Sequence, residues 1–352
     1  MSTFGRHVLV TGGAGFVGTN LAARLVEEGR RVLVLDNLAR PGVEQNLLEL
    51  ESSSCGRVTS LVADVRDREA MREAVRRAEA VFHLAAQVAV TTSLDDPLDD
   101  FEVNLCGTIT LLEEIRALGR HVPLLFTSTN KVYGALPDVV LERPGERWEP
   151  ADPLIRRRGI DESRRLDFCT PYGCSKGGAD QYVLDYAKTY DLPAVVFRMS
   201  CIYGPHQHGN EDQGWIAHFL IQALAERPVT IYGDGAQVRD ALHASDLAEA
   251  MLRTHEDIER LAGQAFNVGG GPANTLSLLE LVQMIEKLED EPLSITFRAE
   301  RPGDQRWYVS DTSRLREETG WQPLVGVEEG VASLHSWLAD RRAPALAPAR
   351  SR

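Results

Sequence analysis

The sequence HVLVTGGAGFVG, residues 7–18, decides the fold of this 352-residue chain. Its first part, His7–Thr11, predicts a buried strand that runs directly into Gly12, Gly15 and Gly18 before an amphipathic helix. The first glycine permits a tight turn, the second lets the backbone approach a pyrophosphate, and the third lets the helix pack on the strand. The amide groups and dipole of the helix N-terminus favour that anion. The pattern predicts a dinucleotide-binding loop.

A carboxylate at the end of the second predicted strand supports this interpretation. Asp36 lies about 20 residues beyond the loop, where an acidic side chain accepts both hydroxyls of an adenosine ribose and repels a 2′-phosphate. The sequence therefore favours NAD over NADP. Taken singly, the loop could be an ordinary strand-to-helix turn and Asp36 a solvated turn residue, but their combination favours a cofactor site.

Short apolar runs alternate with amphipathic stretches through residues 7–198. Nearly all-apolar strands predict a parallel sheet that is covered on both faces. The alternation predicts an α/β fold, a Rossmann-type doubly wound parallel sheet. The predicted strands are His7–Thr11, Arg31–Asp36, Val58–Ala63, Ala80–Ala85, Pro123–Thr127 and Pro193–Arg198, and the predicted helices are Phe16–Glu28, Asp67–Ala78 and Leu98–Leu118.

The pattern becomes irregular after residue 199, where Gly, Pro and His are frequent. We interpret residues 1–199 as an NAD-binding core to which 229–268 return. Residues 200–228 and 269–340 are interpreted as a smaller, interleaved C-terminal substrate-binding lobe. The segment 341–352 is rich in Pro and Ala and is predicted to be a disordered tail. Helices in the second half are predicted near Gln213–Glu226, Ser245–His255, Leu276–Leu288 and Val327–Leu338.

Charge and cysteine content exclude several classes of function. The net charge of −14 disfavours binding to nucleic acid or to an anionic membrane, so an anionic substrate would need locally placed arginines. No apolar run approaches the roughly 18 residues needed to span a bilayer. The five cysteines lack paired metal spacing, and no metal site is predicted; His206 and His208 are interpreted as loop histidines. We expect a cytoplasmic protein with reduced thiols.

The sequence YGCSK, residues 172–176, places Tyr172 and Lys176 on one face of a helix. An ammonium group beside a phenol favours the phenolate, which would serve as a general base for an alcohol. Alone, such a pair is most often a surface feature. Thr129 changes that interpretation, because it follows a predicted strand at the edge where reacting groups of parallel sheets meet and can bond the same hydroxyl.

Over about residues 6–340 the chain resembles the extended short-chain dehydrogenases/reductases, in the nucleotide-sugar epimerase and dehydratase group. The matching motifs are the three loop glycines, the acid at Asp36, Asp64-Val65, the segment His83–Ala86 and Asn104 in Asn-x-x-Gly-Thr. The resemblance implies a catalytic triad of Thr129, Tyr172 and Lys176. It also implies NAD contacts or support from Gly12, Gly15, Phe16, Val17, Asp36, Asn37, Asp64, Val65, Leu84, Ala85, Ala86, Gln87, Asn104, Thr127, Tyr172 and Lys176.

The residues after the catalytic threonine narrow the implied reaction. The 4,6-dehydratases of this family carry an acidic pair there, whereas this chain has Asn130 and Lys131. The glutamate of the related uronic-acid decarboxylases is also missing. The resemblance then implies epimerisation through a keto sugar.

A long segment, 134–171, separates Tyr133 from Tyr172. With the motifs at 127–134, 171–182 and 212–215, it resembles the CDP-paratose 2-epimerases, also called CDP-tyvelose epimerases, which implies inversion at C2. The segment could instead be an oligomer contact or a loop without bearing on the reaction. A UDP-sugar or UDP-uronate 4-epimerase, a net dehydrogenase and a non-catalytic NAD-sensing regulator stay open as alternatives.

The resemblance also implies how the nucleotide-diphosphate sugar is bound. Arg239 and Arg301 match family positions that clamp the diphosphate, and Ser200 matches a contact to diphosphate or sugar. Without that context each arginine would be interpreted as a surface ion-pair member. Thr129, Asn130 and Lys131 are expected beside the sugar. The family implies a homodimer or homotetramer through the helices around Leu98–Leu118 and Tyr172–Tyr190.

Overall fold

The computed structural model describes residues 6–301 and 303–342. Its strands are β1 (His7–Thr11), β2 (Val32–Asp36), β3 (Val58–Val62), β4 (Ala78–His83), β5 (Leu124–Thr129), β6 (Leu141–Glu142), β7 (Glu149–Pro150), β8 (Ala194–Met199), β9 (Cys201–Tyr203), β10 (Val229–Tyr232), β11 (Val238–His243), β12 (Gln264–Val268), β13 (Thr275–Ser277), β14 (Ile295–Arg298) and β15 (Trp307–Tyr308).

The α-helices are α1 (Phe16–Glu27), α2 (Val43–Ser53), α3 (Arg68–Arg76), α4 (Val90–Asp95), α5 (Pro97–Phe101), α6 (Gly107–Ala117), α7 (Pro153–Arg158), α8 (Thr170–Thr189), α9 (Trp215–Leu224), α10 (Ala244–Glu256), α11 (Ile258–Leu261), α12 (Leu278–Glu289), α13 (Ser313–Thr319) and α14 (Val327–Arg342). A π-helix, Glu102–Cys106, joins α5 to α6, and short 3-10 turns cover Asn130–Tyr133 and Pro272–Asn274.

The central sheet has the order β3-β2-β1-β4-β5-β8-β12, and all its neighbouring strands are parallel. The predicted Rossmann-type α/β fold is therefore confirmed. Strand order reverses beside β1, which pairs with β2 on one side and β4 on the other. Ligands of such sheets bind in the crevice at the carboxyl ends of the strands at this reversal.

Alternate residues of each strand point to opposite faces, and both faces are buried. Val8 and Val10 belong to one apolar cluster with helices α1, α2 and α10, whereas Leu9 belongs to a second cluster with α3, α6 and α8. Each of these three side chains has an exposed fraction of 0%. This two-sided burial explains the uninterrupted apolar runs in the sequence.

Several element bounds differ from those predicted. Strand β5 continues to Thr129, because that residue still pairs with Met199 of β8. Strand β4 begins and ends two residues before the predicted bounds, so α3 ends at Arg76. The predicted helix Leu98–Leu118 is divided by the π-helix, whose wider turn has no signal in the apolar spacing.

The lobe is built from smaller sheets. Strand β10 pairs with β14, and β11 pairs with β13, β15 and β9. Within the stretch 229–268 that was expected to return to the core, β10 pairs with β14 instead, and its Val229 and Ile231 are buried in the lobe's own cluster. By contrast, α10 packs on α1, α11 packs on β8, β12 pairs with β8, and Leu242 of β11 is buried in the core cluster.

The predicted disordered tail lies, from residue 343 onward, outside the described residues. None of the helices in the described residues combines the length and apolar character needed to cross a bilayer.

Candidate active site

A cavity of about 660 Å³ opens at the carboxyl ends of the central strands. Thr129 and Ser200 line it, and the buried hydroxyl of Ser128 in its wall has no hydrogen-bond partner within the described residues. Most of the predicted cofactor residues also line it: Gly12, Gly15, Phe16, Val17, Asp36, Asn37, Val65, Leu84, Ala85, Ala86, Gln87, Thr127, Tyr172 and Lys176.

The glycine loop can adopt its tight turn only because its glycines carry no side chain. Gly12 has φ of +68°, and a Cβ there would lie 2.6 Å from the amide nitrogen of Ala85. A Cβ at Gly18 would overlap the carbonyl oxygen of Gly12. Gly15 is the N-cap of α1 and provides no side-chain cap, so the first amides of α1 stay available to an anion. The loop fits a pyrophosphate.

Asp36 is held at the cavity edge by two backbone donors. Its Oδ2 accepts from Ala14 N at 3.0 Å and its Oδ1 from Leu38 N at 2.9 Å. Asp64 lies just outside the lining and accepts from Asn37 Nδ2 at 2.9 Å. The Arg66 guanidinium lowers the pKa of Asp64 to about 2. These carboxylates fit the ribose hydroxyls and polar edge of an adenosine, as NAD requires.

The segment 205–213 bridges the cofactor side of the cavity and the lobe. Asn20 Nδ2 donates to the carbonyl oxygen of Pro205 at 2.9 Å, and Asn46 Nδ2 to that of His206 at 3.0 Å. Arg40 Nη2 donates to Gln213 Oε1 at 2.7 Å, and both residues line the cavity. The sequence interpretation missed Arg40, whose partner is distant in sequence.

The three residues predicted to be catalytic all line the cavity. Thr129 ends β5 and lies beside the phenol of Tyr172, which is in the first turn of α8. Lys176 follows one turn later, is 2% exposed, and places Nζ 4.3 Å from the ring centroid of Phe126. The predicted proximity of Thr129 and Tyr172 is thus present in the structure.

The electrostatics of this pair differ from the expectation. Burial raises the pKa of Tyr172 to about 12, although the nearby Thr129 hydroxyl acts in the opposite direction. Burial also lowers the pKa of Lys176 to about 7, against the opposing effect of Asp180 and Asp100. In the free protein, burial therefore outweighs the expected lowering of the Tyr172 pKa by Lys176. As pH rises through neutrality, Lys176 therefore loses its proton before Tyr172 does.

Asn104 lies behind the cavity wall rather than in it. Its side chain is buried, accepts from Gln87 N at 3.0 Å, and donates to Ser175 Oγ at 3.1 Å. Asn104 thus connects a cavity-lining residue to the catalytic helix α8. This contact agrees with a supporting role for Asn104 rather than a direct contact to the cofactor.

The two residues that replace the dehydratase acids face away from the cavity lining. Asn130 Nδ2 donates to Gln305 Oε1 at 3.1 Å, and Lys131 Nζ donates to the carbonyl oxygen of Gly303 at 3.0 Å. Burial lowers the pKa of Lys131 to about 8, and the nearby Arg239 acts in the same direction. Gln305 was missed because its partner lies in a different lobe.

The predicted diphosphate residues fall into two groups. Ser200 lines the cavity and its hydroxyl donates to Asp240. Arg239 is buried and its Nη2 lies 2.6 Å from Asp304 Oδ1, outside the lining. Arg301 also lies outside it, with Nη1 3.5 Å from Asp212 Oδ1 and its guanidinium 3.7 Å from the ring centroid of Tyr232. Both arginines are bound to acidic side chains.

The long segment 134–171 is fixed to the core by a buried chain of hydrogen bonds. Arg198 binds both carboxylate oxygens of Asp180, at 2.9 and 3.0 Å, and donates to the Tyr133 hydroxyl at 3.2 Å. Tyr133 donates to Asn267 at 2.7 Å, and Asn267 donates to the carbonyl oxygen of Ile160 at 2.7 Å. The segment is therefore fixed near the turn that follows β5, and none of its described residues lines the cavity.

Comparison with known proteins agrees with this site. Residues 8–269 match the family described as the NAD dependent epimerase/dehydratase family, and the chain belongs to that family. It is 40% identical to the CDP-paratose 2-epimerase of Salmonella typhi over 94% of this chain and 98% of that protein. It is 33% identical to the UDP-glucose 4-epimerase of Mycolicibacterium smegmatis, covering 93% and 96%.

A solved structure shows the same similarity. The UDP-glucose 4-epimerase of Thermus thermophilus in complex with NAD has a TM-score of 0.79 and 32% identity, covering 94% of this chain and 98% of that one. The predicted NAD cofactor and the predicted enzyme class are confirmed by family membership. The described residues contain no group of three or more His, Cys, Asp or Glu side chains that could hold a metal ion.

Proposed function

We propose that this enzyme inverts C2 of a CDP-linked hexose through a transient 2-keto sugar. The observation that carries the proposal is the neutral amide of Asn130 next to catalytic Thr129, turned toward Gln305. Without an acid there, elimination of water lacks its proton donor, and oxidation followed by reduction is the chemistry that the trio supports. The 40% identity to a CDP-paratose 2-epimerase supports the choice of carbon and nucleotide.

Tyr172 and Lys176 move the proton in this proposal. Tyr172 removes the proton of the C2 hydroxyl as the C2 carbonyl forms, and returns it when the alcohol is restored. Thr129, which lies beside Tyr172, orients that hydroxyl. Bound NAD supplies the hydride acceptor and donor. Lys176 is buried, and its pKa of about 7 lets it lose a proton near neutral pH. The neutral amine can then exchange a proton with Tyr172, so that Tyr172 can serve as the general base.

Inversion requires the keto sugar to present its other face, so an anchor must hold the nucleotide end while the sugar turns. We place the diphosphate near Ser200, Lys131, Arg239 and Arg301. Guanidinium groups bind two phosphate oxygens at once, which suits a chain of net charge −14. Arg239 and Arg301 would exchange Asp304 and Asp212 for the diphosphate on binding.

The proposed position of the inverted carbon relies on segment 134–171, which lies close to the turn that follows β5. The carbonyl oxygen of Ile160 in this segment accepts from Asn267, which also binds the hydroxyl of Tyr133 in the turn after β5. This contact supports the proposal that the segment influences how the sugar is bound. It also agrees with the resemblance to 2-epimerases, whereas the similarity to UDP-glucose 4-epimerases makes C4 the competing outcome.

A homodimer or homotetramer is part of the proposal. Leu98 and Phe101 of α5 are exposed by 73% and 45%, and Tyr182 of α8 by 45%. Large apolar side chains on adjacent helices are typical of a contact with another copy. Sedimentation of the wild type and of Leu98→Glu tests this: the proposal expects the variant to dissociate.

The experiment that tests the proposed reaction is incubation with CDP-, UDP-, GDP- and TDP-linked sugars in deuterated water, with the products analysed by NMR. Inversion at C2 without deuterium at carbon supports the proposal. Inversion at C4 supports a 4-epimerase, and deuterium uptake indicates enolisation. Accumulation of NADH indicates a net dehydrogenase, and bound NAD with unchanged sugar indicates a regulator.

A further inference from the structure

A buried carboxylate lies directly behind the catalytic helix. Asp100, at the end of α5, has an exposed fraction of 0%. Its Oδ2 accepts from Ser175 Oγ, and its Oδ1 accepts from Asn104 Nδ2 and Gln87 Nε2, both at 3.1 Å. Ser175 precedes Lys176 in the sequence, and Gln87 lines the cavity. The carboxylate thus joins the catalytic helix to the cavity wall.

The backbone around Asp100 is unusual as well. The π-helix Glu102–Cys106 begins two residues after Asp100 and contains Asn104. π-helical turns are rare in proteins, and they frequently lie at functional sites. Here the turn holds Asp100 and Asn104 together against α8.

The hydrogen bonds of Asp100 come from neutral groups. Among the described residues, its side-chain donors are the hydroxyl of Ser175 and the amides of Asn104 and Gln87. The positive charge of Lys176 lowers the pKa of Asp100, whereas the negative charge of the adjacent Asp99 raises it. A buried carboxylate without a cation is costly, so Asp100 and Lys176 depend on each other.

The other groups that face Lys176 are either neutral or already paired. Asp180 is the second carboxylate that acts on Lys176, but it is held at both oxygens by Arg198. His83 also faces Lys176, and burial lowers the pKa of His83 to about 3, so its ring is neutral near pH 7. Phe126 contributes the face of its ring. Asp100 is therefore the carboxylate near Lys176 that is not neutralised by an arginine.

We propose that Asp100 is a positioning residue that supplies the counter-charge for Lys176 and thereby sets the pH range in which the Tyr172/Lys176 pair works. This inference rests on the proposed catalytic role of that pair. Asp100 has no contact with substrate or cofactor in this role; it acts through Lys176 and through its bond to Ser175. The π-helix fixes the carboxylate at the required place.

The direction of the effect follows from the charge of Asp100. A negative charge favours protonated neighbours, so Asp100 raises the pKa of both Lys176 and Tyr172. Removal of that charge should therefore lower the pKa of the coupled pair. Burial raises the pKa of Asp100 itself, whereas its bond from Ser175 lowers it. The experiment must therefore show whether a charge at position 100 affects the titration of Lys176.

The test uses Asp100→Asn in the full-length protein, because the amide keeps the shape and removes the charge. Asp95→Asn is the control, because it removes an exposed charge next to α5. Asp100→Ser is a second neutral variant should the amide prevent folding. The chain has four lysines, so NMR of protein with ¹³C-labelled lysine resolves Lys176 during a pH titration.

We expect Lys176 to titrate near pH 7 in the wild type and about one pH unit lower or more in Asp100→Asn and Asp100→Ser. Asp95→Asn should titrate as the wild type does. An unchanged Lys176 titration in a folded neutral variant would overturn the inference. Because this measurement needs no substrate, its failure is distinguishable from failure of the proposed epimerase activity. Where turnover is measurable, the acid limb of kcat/KM should shift by the same amount.

Discussion

The side-chain amides of Asn130 and Gln305 meet at 3.1 Å, although the two residues belong to different lobes. Both are buried, with exposed fractions of 8% and 3%. Gln305 also donates to the carbonyl oxygen of Gly134, so one side chain binds both ends of the turn that follows Thr129. The C-terminal lobe thereby fixes the strand end that carries a catalytic residue.

Replacing Gln305 by Leu should lower turnover. The change keeps the volume but leaves Asn130 and the Gly134 carbonyl without their partner, at about 1–3 kcal/mol for each buried group. We expect kcat to fall about tenfold or more, with NAD affinity unchanged. Steady-state kinetics and NAD titration measure this. The exposed Gln45→Leu is the control, and a Gln305→Leu enzyme with wild-type kcat would contradict the prediction.

Replacing Gly12 by Ala should abolish NAD binding. A Cβ at Gly12 would lie 2.6 Å from Ala85 N, so the loop must shift where the pyrophosphate is expected. Gly56→Ala is the control: its φ is +75°, close to the +68° of Gly12, yet nothing lies within 4 Å of its Cβ. The control separates backbone strain from overlap. Calorimetric NAD titration of the two variants should show loss only for Gly12→Ala, and equal affinities would disprove the explanation.

Replacing Tyr172 by Phe should lower the rate by about 10²–10⁴, because it removes the general base and little else. NAD should still bind. Tyr190→Phe, at the exposed end of the same helix, is the matched control and should turn over normally. Single-turnover measurements would settle the assignment, since turnover close to wild type in Tyr172→Phe is incompatible with the proposed role.

Activity should rise as pH increases through about 7. The pair must lose one proton before Tyr172 can accept one from the sugar, and burial lowers the pKa of Lys176 to about 7. Below that pH, kcat/KM should fall about tenfold per pH unit. A profile that stays flat from about pH 5 to 8 would show that the pair does not control the rate.

Replacing Asp180 by Asn should destabilise the fold. Arg198 is 5% exposed, and it would keep its charge without its carboxylate partner. Breaking such a buried pair costs about 3–5 kcal/mol. Glu73→Gln, in an exposed pair with Arg76, should change the free energy of unfolding by less than about 1 kcal/mol. Urea unfolding compares the two, and similar effects would mean that the burial of Asp180 is unimportant.

The parts of the site that were predictable have local signals. The glycine loop follows its strand within a few residues, and Tyr172 and Lys176 share a helix turn. The partners of Asn130 and Asp180 could not be predicted, because Gln305 and Arg198 reach them from distant elements. The membership of β10 was mispredicted for the same reason: an apolar strand carries no mark of the sheet it joins, and its partner β14 follows much later.

The π-helix and Arg40 show two other limits. A π-helical turn changes hydrogen bonding without changing the apolar spacing, so Glu102–Cys106 was predicted as ordinary helix. Arg40 looks like a solvated loop residue until Gln213 is placed beside it. In both cases the decisive contact is tertiary.

The hydrogen bonds from Asn20, Asn46 and Arg40 to segment 205–213 have a consequence for the lifetime of the holoenzyme. Release of the dinucleotide past that segment requires several of these bonds to break together. An epimerase gives the hydride back at the end of each cycle, so slow release would not limit its turnover. We expect the dinucleotide to persist through many catalytic cycles, which would make the reaction insensitive to the oxidised-to-reduced ratio of the surrounding nicotinamide pool.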